Sequence, residues 1–123
     1  FAAALHGAAV EGAELADGVV ITDHQAGVFA GVLLVLRLIA QTVDGAHANG
    51  KWVGVCGGIA SDLQAVPILV GLGVDELSVS VPTVPAVKAE VRHLTLDECK
   101  ALAQQALAQD TAAEVRALVP LEF

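Results

Sequence analysis

Cys56 is the side chain in this sequence best placed to do chemistry. It stands in the stretch KWVGVCGGIASD, Lys51 to Asp62. A thiol can donate a proton, or attack as a thiolate, and its pKa decides which. The residues before it read as a short buried strand, Trp52 to Cys56, with β-branched bulk at Val53 and Val55 and again at Ile59. Gly57 and Gly58 let the backbone turn sharply, because glycine accepts positive φ without steric cost. Ser61 and Asp62 are N-cap residue types for a helix over the following AVPILVGLG. The C-terminal end of a parallel strand, on a glycine loop, is where α/β folds place reacting groups. The plainer reading of a cysteine, a small packed hydrophobe, stands beside this one.

Other reactive side chains have duller explanations. Cys99 falls on the apolar face of a helix and reads as core. Cys56 and Cys99 share neither a metal spacing nor a CxxC, and a structural disulfide is not expected. Asp23 and His24 could form an acid/base or metal pair. Neighbours in a strand point to opposite faces, however, so a turn accounts for them better. His47 lies in the last turn of a helix, where the dipole favours a cation, and is expected to cap rather than to ligate. His6 reads as a surface or packed residue.

The elements that would carry Cys56 follow from pattern and punctuation. DGVVITD, Asp17 to Asp23, is a β-branched run between turn residues and reads as a strand. Gly27 to Leu33 is either a second strand or the lead into a helix over Leu34 to Ala48. That helix is expected from the recurrence of Leu34, Leu38 and Gln41 and of Val35, Ile39 and Val43, with Asn49 and Gly50 as its stop. A helix over about Asp62 to Leu72 should end at Gly71 and Gly73. Glu76 to Val81 alternates as a strand, and Val84 to His93 forms a short helix. Thr95 with Glu98, and Thr111 with Glu114, have capping-box spacing for two more helices, Leu94 to Gln109 and a short one to about Val119. Leu96, Cys99, Leu102, Ala103, Ala106 and Leu107 should form the apolar face of the longer one. An alanine-rich helix is expected within residues 1–14. Strands alternating with helices imply an α/β fold with a parallel sheet and right-handed crossovers.

Composition narrows the function classes. The chain has 123 residues, enough for one domain with a core, and 55% are hydrophobic. Its net charge of −8, from 14 acidic and 6 basic residues, argues against nucleic acid as a partner. The longest apolar run, Ala26 to Ile39, is broken by Gly27, Gly31 and Arg37 and is too short for a membrane span. No signal peptide is evident, so a cytoplasmic location is expected.

The stretch from VLRLIAQTVDGAHANGKWVGVCGGIASD through LQAVPILVGLGVDELSVSVPTVPAVKAEVRHL resembles the C-terminal end of the enzyme I family. These are the phosphoenolpyruvate–protein phosphotransferases of the bacterial sugar phosphotransferase system. GVCGGIASD with GLGVDELSVS is most similar to the fused multiphosphoryl transfer proteins, and the tail TLDECKALAQQALAQDTAAEVRALV fits as well. The resemblance runs from about Val35 to Val119.

It implies the C-terminal part of a (β/α)₈ TIM-type barrel, with Trp52–Cys56 as the seventh strand and Glu76–Val81 as the eighth. Residues 34–123 would belong to the phosphoenolpyruvate-binding barrel domain, and residues 1–33 remain unassigned. Cys56 maps onto the family cysteine that exchanges a proton with the methylene carbon of the substrate. Gly57 shapes the substrate loop, and Gly58 stands where enzyme I usually has a carboxylate. The implied ligands and partners are phosphoenolpyruvate or pyruvate, Mg²⁺, a histidine phosphocarrier protein or fused carrier domain, and a second copy in a homodimer.

The family's metal carboxylates, substrate arginines and GTNDLTQY stretch precede this region and are absent. None of His6, His24, His47 or His93 carries the phosphoacceptor motif. A complete barrel takes about 250 residues. A portion of a larger enzyme, without turnover by itself, is therefore expected. The alternative is a non-catalytic, self-associating structural or interaction module in which Cys56 merely packs.

Overall fold

The computed structural model describes residues 18–23 and 31–120. The expectations for residues 1–14, for His6 and His24, and for residues 24–30 and 121–123 lie outside the described residues. Strand β1, Gly18–Asp23, is followed by helix α1, Gly31–Ala48. Strand β2, Trp52–Gly57, leads through a 3₁₀ turn, Gly58–Ser61, into helix α2, Val66–Gly71. Strand β3, Glu76–Ser78, leads through a second 3₁₀ turn, Val81–Thr83, into helix α3, Val84–His93. Helices α4, Leu96–Leu107, and α5, Ala112–Ala117, complete the described chain.

The strands form one three-stranded sheet in the order β1-β2-β3, and both pairings are parallel. This is the α/β architecture expected from the alternation of patterns. β2 is the central strand. Val53 and Val55 are fully buried, and they join a core with Leu36, Ile39 and Val43 of α1 and Ile68 and Leu69 of α2. Burying each such side chain is worth about 1.5–3 kcal/mol. Trp52 and Cys56, which alternate with these valines, are half-buried.

Several boundaries differ from expectation for identifiable reasons. α1 already includes Gly31 to Leu33, so a second strand over Gly27–Leu33 is excluded there. The buried stripe of α1 is Leu36, Ile39, Val43 and Ala46, while Leu34 is 57% exposed. The Leu34–Leu38–Gln41 row therefore flanks the core. Gly50 has φ 68 and closes the helix, and the side-chain amide of Asn49 donates to the Gly45 carbonyl at 2.7 Å.

Ser61 and Asp62 do not cap α2. Ser61 ends the 3₁₀ turn, Ala65 occupies the N-cap, and Pro67 sits in the first turn. A proline there sacrifices no helical hydrogen bond, which is why the helix starts late. β3 stops at Ser78, three residues before Val81, because Val81 enters a 3₁₀ turn with Pro82.

Thr95 is the N-cap of α4, but no full capping box forms: its hydroxyl bonds to the Glu98 carboxylate and not to a backbone amide. The second box is complete, with Glu114 N donating to Thr111 Oγ1 and Thr111 N to Glu114 Oε2. Cys99, Ala103 and Ala106 are buried, whereas Leu96 is 54% exposed in the first turn.

Gly71 is the last residue of α2, as expected. A Cβ at Gly71 would stand 1.9 Å from the Cys99 carbonyl oxygen and 2.9 Å from Ala103 Cβ. α2 and α4 thus cross backbone against backbone, with Ala103 the small partner. The turn itself falls to Gly73, whose φ is 92.

Gly71→Ala is expected to destabilise the fold by about 2–4 kcal/mol, because rigid backbone must move to admit the methyl group. Gly45 is an informative control, since a Cβ there meets nothing within 4 Å. Gly45→Ala should stabilise by about 0.5–1 kcal/mol through helix propensity. Thermal unfolding of the two variants should move in opposite directions.

Candidate active site

Cys56 stands one residue from the C-terminal end of the central strand. In register it faces Thr22 of β1 on one side and Ser78 of β3 on the other. Gly54 and Glu76 form the next pair along the same face of the sheet. A Cβ on Gly54 would lie 2.9 Å from Trp52 Cζ3, so the indole lies over Gly54 and covers that part of the face. Glu76 and Ser78 are exposed. Cys56 therefore looks out on the side of the sheet away from Val53 and Val55, beside a hydroxyl-bearing neighbour in register.

Gly57 has φ 101 and ψ −165, a conformation essentially reserved for glycine. It turns the chain immediately after the thiol. Gly58 opens the 3₁₀ turn, and both glycines are exposed. Ile59 and Ala60 then plunge into the core at 6% and 0% exposure. The three residues singled out in the sequence, Cys56, Gly57 and Gly58, thus form one continuous strand-end and bend. Partial burial pushes the Cys56 thiol up from its ordinary pKa. At neutral pH the group is S–H, the form that can give a proton.

Cys99 is elsewhere. It is 2% exposed beneath the α2–α4 crossing and is core, as its place on the helix suggested. Both cysteines are free. His93 Nδ1 bonds within its own helix, to the Ala89 carbonyl, at 2.7 Å.

His47 does more than cap. Its Nε2 donates to Asp75 Oδ2 at 2.8 Å, and the same oxygen accepts from Val53 N at 2.7 Å. The Asp75 amide in turn donates to the Val53 carbonyl at 2.9 Å. This knot joins the end of α1 to the start of β2, at the end of the sheet away from Cys56. The His47 hydrogen bond, followed by that from Val53, holds the Asp75 carboxyl below its ordinary range. Among the described residues no three His, Cys, Asp or Glu side chains converge on a metal-sized site.

A second cluster escaped the sequence reading. Arg116 of α5 donates from Nη2 to Asp62 Oδ2 and from Nη1 to Gln64 Oε1, both at 2.7 Å. Gln64 Nε2 returns bonds to the Arg116 carbonyl at 3.1 Å and the Val119 carbonyl at 2.6 Å. The partners are more than 50 residues apart, and no periodicity links them. Asp62, read as a helix cap, is instead the anchor on the far side of the glycine bend.

A parallel sheet with helices behind it defines an α/β protein, and Cys56 stands at a glycine bend by the C-terminal end of its central strand. The profile of the family described as PEP-utilising enzyme, PEP-binding domain, matches residues 30–96, more than half of the chain. The chain belongs to that family. The multiphosphoryl transfer protein of Rhodobacter capsulatus is 56% identical to it over 84 residues, 68% of this chain and 10% of that protein. The multiphosphoryl transfer protein of Escherichia coli O6:H1 is 46% identical over the same shares. The phosphoenolpyruvate-protein phosphotransferase of Haemophilus influenzae is 45% identical over 85 residues, 69% of this chain and 15% of that protein. The chain spans about a tenth of the length of the multiphosphoryl transfer proteins it matches.

Two outcomes check this geometry. Gly57→Ala should cost about 1–3 kcal/mol of stability, since alanine cannot hold that φ and ψ without strain. Chemical unfolding measures it. The Asp75 knot should show in acid. Its folded pKa lies below the unfolded one, so its contribution is complete above the ordinary carboxylate range and is lost as pH falls through the folded value. Asp75→Asn should therefore flatten the stability profile below about pH 4, read by unfolding at a series of pH values.

Proposed function

We propose that this chain is part of the phosphoenolpyruvate-binding domain of a phosphoenolpyruvate–protein phosphotransferase of the sugar phosphotransferase system. Cys56 is its proton donor and acceptor at the pyruvate enolate carbon, and Gly57 and Gly58 form the substrate loop. The parent enzyme passes the phosphoryl group to one of its own histidines and then to a histidine phosphocarrier protein or fused carrier domain. Mg²⁺ would be held by carboxylates of the parent enzyme that are not present in this chain. A cytoplasmic location and a homodimer belong to the same reading. Among the described residues, no helix is long and apolar enough to cross a membrane.

The observation that carries the proposal is the free, half-buried thiol of Cys56 at the end of β2, followed by a bend that only glycine holds comfortably. When the phosphorus–oxygen bond of phosphoenolpyruvate breaks, the electron pair stays on oxygen and leaves an enolate. The phosphorus forms its new bond to a histidine nitrogen. The methylene carbon of the enolate must then gain a proton to give the ketone. A thiol held as S–H supplies that proton and is left as thiolate, to be reprotonated from solvent. In reverse, the thiolate removes a methyl proton from pyruvate.

The barrel reading is supported by the all-parallel sheet, whose β1 and β3 have no further strand beside them among the described residues. A shallow groove lies along β3, lined by Leu77, Val79, Val84 and Val87 with Lys88 and Arg92 at its rim. Cys56 does not line it. Exposed Val81, at 85%, and Val84, Val91 and Leu96 favour a covering partner, which suits both the homodimer and the alternative of a self-associating module. The half-open Cys56, in contrast to sealed Cys99, favours the catalytic reading.

In the complete enzyme, Cys56→Ala should slow deuterium exchange into the pyruvate methyl group by about 10²–10⁴-fold, followed by proton NMR. In the wild type, proton donation should persist above neutrality and fail only as pH rises through the raised thiol pKa, beyond the ordinary value of about 8.5. Undiminished exchange in Cys56→Ala would refute the role. The isolated chain should show no phosphoenolpyruvate-dependent phosphorylation of the carrier protein.

A further inference from the structure

The segment between Cys56 and α2 is held at two places of different character. Ile59 and Ala60 are buried, which ties the middle of the loop to the core. Apolar burial is non-directional, however, and Gly57 and Gly58 between the thiol and Ile59 resist rotation poorly. The directional restraint comes at Asp62. Its amide donates to the Ile59 carbonyl at 3.3 Å, closing the 3₁₀ turn. Its Oδ1 accepts from Gln64 N at 3.0 Å, and its Oδ2 accepts from Arg116. Gln64 then locks to α5 through both ends of its amide. α5 is itself fixed by buried Val115 and by its complete capping box.

We infer that Arg116 and Gln64 are positioning residues for the Cys56–Gly58 bend, acting from α5 through Asp62. The inference rests on the proposed role of Cys56. Magnitude separates positioning from simple stabilisation. The Arg116 and Asp62 side chains are 49% and 27% exposed, and exposed ion pairs add little to stability. A cluster so weak as a brace matters chiefly through its geometry. The guanidinium spans two acceptors on separate residues, Asp62 and Gln64, as a planar fork can and an ammonium cannot.

The test uses the complete phosphotransferase, with kcat and KM for phosphoenolpyruvate, and with the alkylation rate of Cys56 by iodoacetamide followed by peptide mass spectrometry. Arg116→Ala should lower kcat about tenfold, with KM and melting temperature little changed, because misplacing a reacting group costs rate more than binding. It should also change the alkylation rate several-fold. Arg116→Lys should recover only part of the loss. Gln64→Ala, which keeps the Asp62–Arg116 pair, should give a smaller loss of the same kind and serves where Arg116→Ala fails to fold. Asp75→Asn weakens the knot at the opposite edge of the sheet without touching α5 or the cluster, and should lower the melting temperature while leaving kcat at wild-type level in the cold. Wild-type kcat and alkylation in Arg116→Ala and Gln64→Ala would overturn the inference. So would a loss in Asp75→Asn as large as that in Arg116→Ala. If Cys56→Ala itself keeps full turnover, the proposed role of the thiol fails, and the alkylation rates alone decide whether α5 positions the bend.

Discussion

The two-residue period of the central strand is the constraint on which the rest depends. Val53 and Val55 must point to one side of β2, and Trp52, Gly54 and Cys56 to the other. The first set is fully buried against α1 and α2. A slip of one residue would expose both valines and drive the thiol into the helices, at a cost of several kcal/mol. The hydrophobic core therefore fixes the side of the sheet on which the sulfur stands. The site is a consequence of packing behind it and needs no bond of its own to hold that orientation.

Parallel pairing adds the second coordinate. All three strands run the same way, so their C-terminal ends share one edge, and Cys56 lies within a residue of it. Helices must return the chain to the other edge, and α1 does so between β1 and β2. The Asp75–His47–Val53 knot sits at that opposite edge, where it fastens the crossover to the start of β2. Structural polar groups and the candidate reacting group are thus separated along the strand axis. This division is common to α/β folds, in which the C-terminal ends carry chemistry and the N-terminal ends carry stability.

What could be read from the sequence was whatever local pattern determines. The β-branched run at Val53–Val55, the glycine pair after Cys56 and the box at Thr111–Glu114 each act within a few residues, and each is where it was expected. The resemblance to the enzyme I family came from the same contiguous stretch. Most of the misses involve partners distant in the chain, whereas the incomplete box at Thr95–Glu98 is a local one. Gly71 ends α2 as expected, yet what demands a glycine there is the carbonyl of Cys99. Asp62 looked like a cap because aspartate favours caps, yet its carboxylate is taken by Arg116. Leu34 and Leu96 have helical spacing but lie beyond the edge of the stripe that the sheet and neighbouring helices cover. Composition does not reveal where such a stripe ends.

The face of the sheet on which Cys56 stands has a chemical consequence. Trp52 covers Gly54, but Glu76 and Ser78 remain exposed around Cys56. Water at that face would compete for an enolate and weaken every electrostatic contact made to it. The described residues raise the thiol pKa only as far as partial burial allows. Enclosing the same face with further protein would desolvate the sulfur more, and would hold it still more firmly as S–H. The half-buried state seen here is the part of that tuning which β2 and its glycine bend supply by themselves.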